Sequence, residues 1–597
     1  MRIAPRSLCL FVLMMTAVSL VAVGCGQLDG PALQHLSPGK VFITHPLANR
    51  TAIAGHPTTF KVQAKGRWPV RYQWLRNGAE IDGATAQQYT ISKTAIEDAG
   101  ARFQVRVSSW GITKFSTLAS LKLTPPKLAS SVSFPVRKST NGRYLVDAKG
   151  QPFRIQGEAA WSLIANLTYA EAEAYLDNRR EKGFNTVLVE LMEHKYAQAG
   201  NGARFTGVPT NRAGVLPFLK NEKGGVYDGT WGTADFSSPN EAYFAFGDSI
   251  IDLAARKEML VNLAPIFLGF NGNEAGWWAD LTNSVNTPAV AYNFGRYIGN
   301  RYKDRKNIIW VIGGDYTPAT GSEGEARLLS LLRGVKAAGA TQLWSGDWKA
   351  SSLSVDEAEF ASVMDLNAVY TYGVLGHVGA TYVQARAAFD SSPVLPAYLK
   401  ETGYEDERIS PGDGASVRMY QYYAILGGST AGGFFGNRDV WKFATDRWWF
   451  DPDDTGHGPW VPAMESPGSF DFFHLGELLD SLPWYDLVPS GLSGTKALVQ
   501  AGRGNHGTTD YVIATATRDG RTLLAYVPPT RPPGTSFTVD MSALGGPCLA
   551  SWFDPGSGAY TQVPGAPFPN TGSKAFVTPG LNAAGDADWV LVLQAKQ

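Results

Sequence analysis

Asn307-Ile308-Ile309-Trp310-Val311-Ile312-Gly313-Gly314-Asp315 is the most informative stretch of the 597-residue chain. Six residues, nearly all apolar, make one strand-length run; two glycines stop it, and an acid follows. A continuous apolar run of that length, bounded by turn residues, reads as a strand buried on both faces, as in a parallel sheet. Similar runs occur at 153–157, 186–191, 259–265, 342–346, 364–371, 393–399 and 431–436. Between them, 168–182, 244–257, 287–304, 323–338, 380–390 and 415–427 place apolar residues near helical spacing. Eight strands separated mostly by helices predict a parallel sheet closed into a (β/α)8 TIM barrel over residues 134–490. A doubly wound open sheet is the alternative, and no Gly-rich phosphate loop follows any strand to support it.

Both flanks are strand-rich. Residues 41–125 carry short alternating runs, such as Phe60, Val62, Ala64 and Phe103, Val105, Val107, broken at Asn77-Gly78 and Asp82-Gly83. With Trp74 in Tyr72-Gln73-Trp74-Leu75-Arg76, this region resembles an immunoglobulin-like sandwich in which Val62 and Val105 replace the usual cysteines. Residues 491–597 return to strands, among them 511–515, 523–527 and 589–593, and read as a second β-sandwich. The expected fold is therefore multidomain, a central barrel between two sandwiches.

The N-terminus has the pattern of an export signal. Arg2 and Arg6 precede the apolar stretch Leu8 to Val23, and Ala22-Val23-Gly24-Cys25 resembles a bacterial lipobox. Residues 1–24 are expected to be removed, Cys25 lipidated, and 25–40 left as a linker on the cell surface or outer membrane/periplasm side. Of the three cysteines only Cys548 then keeps a free thiol, so no intramolecular disulfide can form. The chain has a net charge of +0, which gives no footprint for nucleic acid, and the membrane is expected to be met only through the lipid.

The ends of the predicted strands collect acids and aromatics: Glu158 and Trp161, Glu190, Asp315 and Tyr316, Asp347, Tyr370 and Tyr372, Glu401, and Asn437. In a barrel of this kind the C-terminal ends of the strands form the active face. Two carboxylates opposed across such a mouth are what glycoside hydrolysis requires, one to protonate the leaving oxygen and one to attack. Asp315 and Glu401, on the fourth and seventh strands, fit those roles; Glu405 is the rival nucleophile. The other residues are expected to bind substrate. With eight histidines and no His-Glu-x-x-His, a zinc hydrolase is disfavoured, and no metal or cofactor is expected. A serine esterase lacks its Gly-x-Ser-x-Gly elbow.

Several motifs together resemble the apiosidase-like family of glycoside hydrolases. They are Gly150-Gln151-Pro152-Phe153 with Ala160-Trp161, Glu241-Ala242-Tyr243-Phe244, Asn293-Phe294-Gly295-Arg296-Tyr297, the 307–315 run, and Glu465-Ser466-Pro467-Gly468 through Trp484. The tail, with Trp552-Phe553-Asp554-Pro555-Gly556, is similar to the domain labelled collagen-binding that usually follows; a supporting domain packed on the barrel is the expected role here. The resemblance implies glycoside hydrolase family 140, release of apiose-linked side chains from a pectin, Asp315 as acid/base, Glu401 as nucleophile and net retention. The sequence departs from the family where Ser345 and Gly346 stand in place of a histidine and Glu158 in place of Asp. A surface glycan-binding or adhesion lipoprotein without activity is the competing reading.

Overall fold

The computed structural model describes residues 41–128, 130–198, 207–372, 378–407, 414–445, 459–491 and 496–596. The residues read above as an export signal, as Cys25 for lipidation and as the 25–40 linker lie outside the described residues.

The centre is the expected barrel. Its strands are β1 (Ile155–Ala159), β2 (Thr186–Glu190), β3 (Leu260–Ala264), β4 (Ile308–Gly313), β5 (Trp344–Asp347), β6 (Asn367–Tyr370), β7 (Ala397–Glu401) and β8 (Gly432–Phe435). All pair in parallel in the order β5-β4-β3-β2-β1-β8-β7-β6. Helices α1 (Tyr169–Glu181), α2 (Glu241–Arg256), α3 (Pro288–Tyr302), α4 (Glu323–Ala337), α5 (Val378–Phe389), α6 (Gly414–Gly427) and α7 (Pro467–Asp480) surround it. The link from β5 to β6 holds only the four-residue helix Ala358–Ala361.

Period-two alternation divides the strand residues between the lumen and the helix layer. Ile155, Leu188, Leu260, Ile309, Val311, Ala368, Tyr398 and Phe434 fill the lumen, whereas Val187, Val261, Leu263, Ile308, Trp310 and Ile312 face the helices. Trp310 is thus a packing residue, as its place inside a strand predicts. Gly157 is required because a Cβ there would collide with the Phe434 ring inside the barrel.

The barrel closes imperfectly between β5 and β6. Near its base Leu366 N donates to Trp344 O at 3.1 Å. Higher up one hydroxyl replaces the ladder. Ser354 Oγ accepts from Gly346 N and Ala368 N and donates to Gly346 O, each at 2.9 Å.

The N-terminal sandwich buries Trp74, Val62, Phe103 and Val105 together, as the immunoglobulin-like reading requires. Its strand Arg50–Ile53 runs parallel to Leu121–Thr124, and the remaining ladders are antiparallel. The C-terminal domain is two antiparallel sheets of six and three strands, with Cys548 in its core. It docks on α6: Tyr422 stacks on Tyr526 at 4.6 Å, and Arg418 forks onto Asp588 at 2.7 and 2.8 Å. A fully buried Asp588 paired in this way marks a fixed junction between the domain and the barrel.

Candidate active site

Asp315 reaches the mouth through three consecutive left-handed residues. Gly313 has φ 107°, Gly314 φ 125° and Asp315 φ 52°. Both glycines are required by close packing: a Cβ on Gly313 would sit on the Asp347 carbonyl oxygen, and one on Gly314 would enter the Phe267 ring. The turn swings the aspartate over β5 at the cost of left-handed backbone on a residue with a side chain, strain of the sort that gathers at functional sites.

Glu401 reaches the mouth by another device. Pairing along β6 and β7 runs Val369 with Leu399 and then Tyr370 with Glu401, so Lys400 is an extra residue, a β-bulge. A bulge breaks the alternation of side chains, and both Lys400 and Glu401 turn into the mouth. One carboxylate oxygen each of Asp315, Asp347 and Glu401 then lies within 4.8 Å of the others. Among the described residues this is the cluster with the spacing of a cation site. Lys400 supplies the cation: its Nζ is 2.5 Å from Asp347 Oδ2 and 2.5 Å from Glu401 Oε2.

Lys400 is fully buried, its ammonium lying 4.8 Å from the Trp161 ring centroid and 4.5 Å from that of Tyr370. Burial opposes its charge, but Asp347, Glu401 and Asp315 outweigh that and hold the ammonium well above the usual lysine range. The other Glu401 oxygen accepts from the Tyr404 hydroxyl, which accepts from Trp161 Nε1 at 2.9 Å. Asp315 is placed oppositely. Its Oδ1 is buried without a partner. Burial first, then the charges of Glu401 and Asp347, push its carboxyl up to about 8 against the opposing effects of Lys400 and the Tyr370 hydroxyl. Two carboxyls a few ångströms apart therefore differ in kind, one proton-bearing and one fixed by an ammonium and a phenol.

The other predicted residues divide. Glu190, at the end of β2, sits beside these charges, with Oε2 unpartnered and its carboxyl raised well above normal by burial. Tyr370 bonds Asp315 and underlies Lys400. Tyr316, half-buried, is 4.8 Å from Trp278. Tyr372 donates to Glu407 Oε1 at 3.1 Å and is half-buried near Tyr404.

Three expectations of substrate contact need correction. Glu158 falls on the outward parity of β1 and pairs with Arg179 at 3.0 Å and Tyr175 at 2.7 Å of α1, buried outside the lumen. Trp161 has Lys400 over its ring, Phe267 5.3 Å away and its indole N–H engaged, so it supports the site from behind. Asn437 is fully buried, donating to Glu405 and accepting from Asp439 N. The rival nucleophile Glu405 accepts from Gly468 N at 2.8 Å at the start of α7 and so caps that helix. Lys400 was missed as a functional residue; a lysine interrupting an apolar strand directly before an acid is the signal that could have found it.

Residues 139–486 match the family model described as "Apiosidase-like, catalytic domain". Residues 497–594 match one described as "Putative collagen-binding domain of a collagenase". No curated protein matches. Among solved structures, a glycoside hydrolase family 5 protein from Bacteroides vulgatus is 21% identical. That match covers 77% of this chain and 94% of the other at a TM-score of 0.61. A structure titled glycoside hydrolase is 22% identical over 78% of this chain and 99% of its own, TM-score 0.59. At these identities the likeness concerns the fold.

Proposed function

Because the chain belongs to the apiosidase-like family, we propose that it is an exported glycoside hydrolase acting by a two-carboxylate retaining mechanism. The observation that carries this reading is the approach of Asp315 and Glu401 oxygens within 4.8 Å. Retaining enzymes hold their carboxyls about 5–5.5 Å apart, whereas inverting ones need ~6.5 Å or more to admit water between. Asp315 gives its proton to the glycosidic oxygen as a Glu401 oxygen bonds to the anomeric carbon and the C–O bond breaks. Asp315, now a carboxylate, then takes a proton from water as that water attacks the same carbon and frees Glu401. Lys400 and Tyr404 orient Glu401 throughout, and Asp347 fixes Lys400.

The substrate class is an oligosaccharide or polysaccharide bearing an apiosyl or other furanosyl side chain. Family membership supports this, as do the partly exposed rings of Tyr316, Trp278 and Trp441, which offer sugar-stacking faces. We read Cys25 as the lipid attachment point of a bacterial lipoprotein, supported by Ala22-Val23-Gly24-Cys25. Sugar release from a pectin, arabinan and bacterial glycan panel tests the activity, with the anomer followed by NMR. Asp315→Asn and Glu401→Gln should abolish release, and the first product should keep the substrate's configuration. A wild type that binds glycans but cleaves none would favour an adhesion lipoprotein instead.

A further inference from the structure

Neutrality of the whole chain conceals a strongly basic domain. Residues 41–125 contain 11 Lys and Arg against 4 Asp and Glu, in a protein of net charge +0. The four acids are Glu80, Asp82, Glu97 and Asp98; none occurs in 64–72 or 108–118. Those two segments meet at one pole of the sandwich, where Ser109 Oγ donates to Arg67 O and Trp110 Nε1 donates to Trp68 O at 2.7 Å.

That pole is apolar and exposed. Trp68 is 86% and Trp110 62% accessible, and Phe42 lies at 38%. The Arg67 guanidinium sits 4.5 Å over Trp110, the Lys114 ammonium 5.6 Å over Phe42, and Lys65 pairs across from Phe42. The opposite pole holds His56, which is 2.5 Å from Glu181 of α1 and 3.1 Å from Glu465 of the barrel. Thr58 to Lys65 run between the two poles, roughly 26 Å at about 3.3 Å per residue.

The chain enters at the aromatic pole. A Cβ on Gly66 would lie 3.3 Å from Ser109 Cβ and 3.4 Å from Val41 Cγ2, so residue 41 is beside both segments. Residues 26–40 lead from there back to Cys25. Fifteen residues cannot separate the pole from Cys25 by more than about 50 Å, the reach of a fully extended chain. An anchor at Cys25 would thus keep this pole within reach of the lipid headgroups.

We propose that Phe42, Trp68 and Trp110, with Lys65, Arg67 and Lys114, form a surface that docks on an anionic bilayer. The inference rests on the lipid-anchor reading of Cys25. Tryptophan favours the membrane–water interface, and lysine and arginine attract anionic headgroups. A sugar platform would surround its rings with hydroxyl acceptors; the groups here are cations, which match phosphate. The barrel and the C-terminal domain meet the sandwich at the far pole and along the adjoining flank, through Lys61–Asp406, Lys122–Ser557 and Asn49–Ala583, and so lie on the side away from the bilayer.

Unlipidated protein starting at residue 26 should co-sediment with phosphatidylethanolamine–phosphatidylglycerol vesicles and less with phosphatidylcholine alone. Binding should weaken with salt, and each of Arg67→Glu and Lys114→Glu should weaken it at least about fivefold. Trp68→Ala with Trp110→Ala should abolish the vesicle-induced fluorescence blue shift while sugar release from soluble substrate stays at the wild-type rate. Wild type that ignores anionic vesicles, or Trp variants that bind equally well, overturns the proposal. So does a tryptophan shift produced by soluble glycans and not by vesicles. Fatty-acid labelling of the full chain with Cys25→Ser as control reads the anchor separately: unlabelled wild type removes the anchor, while Trp-dependent vesicle binding still upholds the surface.

Discussion

Lys400 Nζ lies 2.5 Å from Glu401 Oε2, a contact between chain neighbours that regular strand pleating does not permit. The bulge that admits Lys400 as an extra residue of β7 turns both side chains to one side. The same ammonium reaches Asp347 of β5, so one cation ties two strands together beneath the mouth. Removing it strands two buried carboxylates. Lys400→Met should lower stability by about 3–5 kcal/mol and kcat by on the order of 10²-fold. Adding Asp347→Asn should restore part of the melting temperature and none of the rate. Thermal unfolding and steady-state kinetics check this; an unchanged kcat would show that Lys400 serves stability alone.

The pH dependence follows from Asp315. Its carboxyl, raised to about 8 by burial and by Glu401, must carry a proton to act as the acid, so kcat/KM should hold through neutrality and fall as pH passes about 8. Stability has a related sign. A carboxyl raised above its unfolded value of ~3.9 favours folding fully below that value, and the contribution is lost as pH rises through the folded value. Asp315→Asn should therefore flatten the decline in melting temperature between mildly acidic and mildly alkaline pH while removing activity. A melting curve with the same pH slope in both proteins contradicts the assignment.

Glu158 offers the contrasting case. Glu158→Gln leaves the Arg179 charge buried without its anion and should cost about 3–5 kcal/mol. Because the pair lies between β1 and α1, KM should not change. A raised KM at unchanged stability would return Glu158 to the substrate.

Ser354→Ala removes the hydroxyl that satisfies two backbone N–H groups and one carbonyl at the β5–β6 seam. Each buried group left unpaired costs about 1–3 kcal/mol. Gly346 adjoins Asp347, so a loosened seam should also reduce kcat, while Ser354→Thr keeps the hydroxyl and should recover most of both. Denaturant unfolding read beside turnover tests the coupling.

The barrel was legible because its evidence is local. Each strand is a short apolar run, and each helix except the one missing between β5 and β6 repeats apolar residues at helical spacing. Burial on both faces of a parallel strand leaves a short continuous apolar run, and alternation of such runs with helical stretches marks the parallel sheet. Asp315 and Glu401 were legible for the same reason, as acids directly behind such runs. The Glu158 error came from counting strand ends without counting parity: Ile155 faces the lumen, so Glu158, three residues on, faces out. Whole-chain charge hides a local pattern of another kind, since the basic N-terminal sandwich is cancelled elsewhere in the chain.

Sequence alone, then, determined the order of sandwich, barrel and sandwich, the eight strands and the place of two acids at strand ends, since each depends on residues adjacent in the chain. Tertiary structure decided what those acids are to each other. The bulge at Lys400, the left-handed turn through Asp315 and the ammonium between Asp347 and Glu401 all arise from pairing between strands 30 to 90 residues apart. A carboxyl's readiness to hold or release a proton depends on the charges and the burial around it in space, which local sequence pattern does not encode.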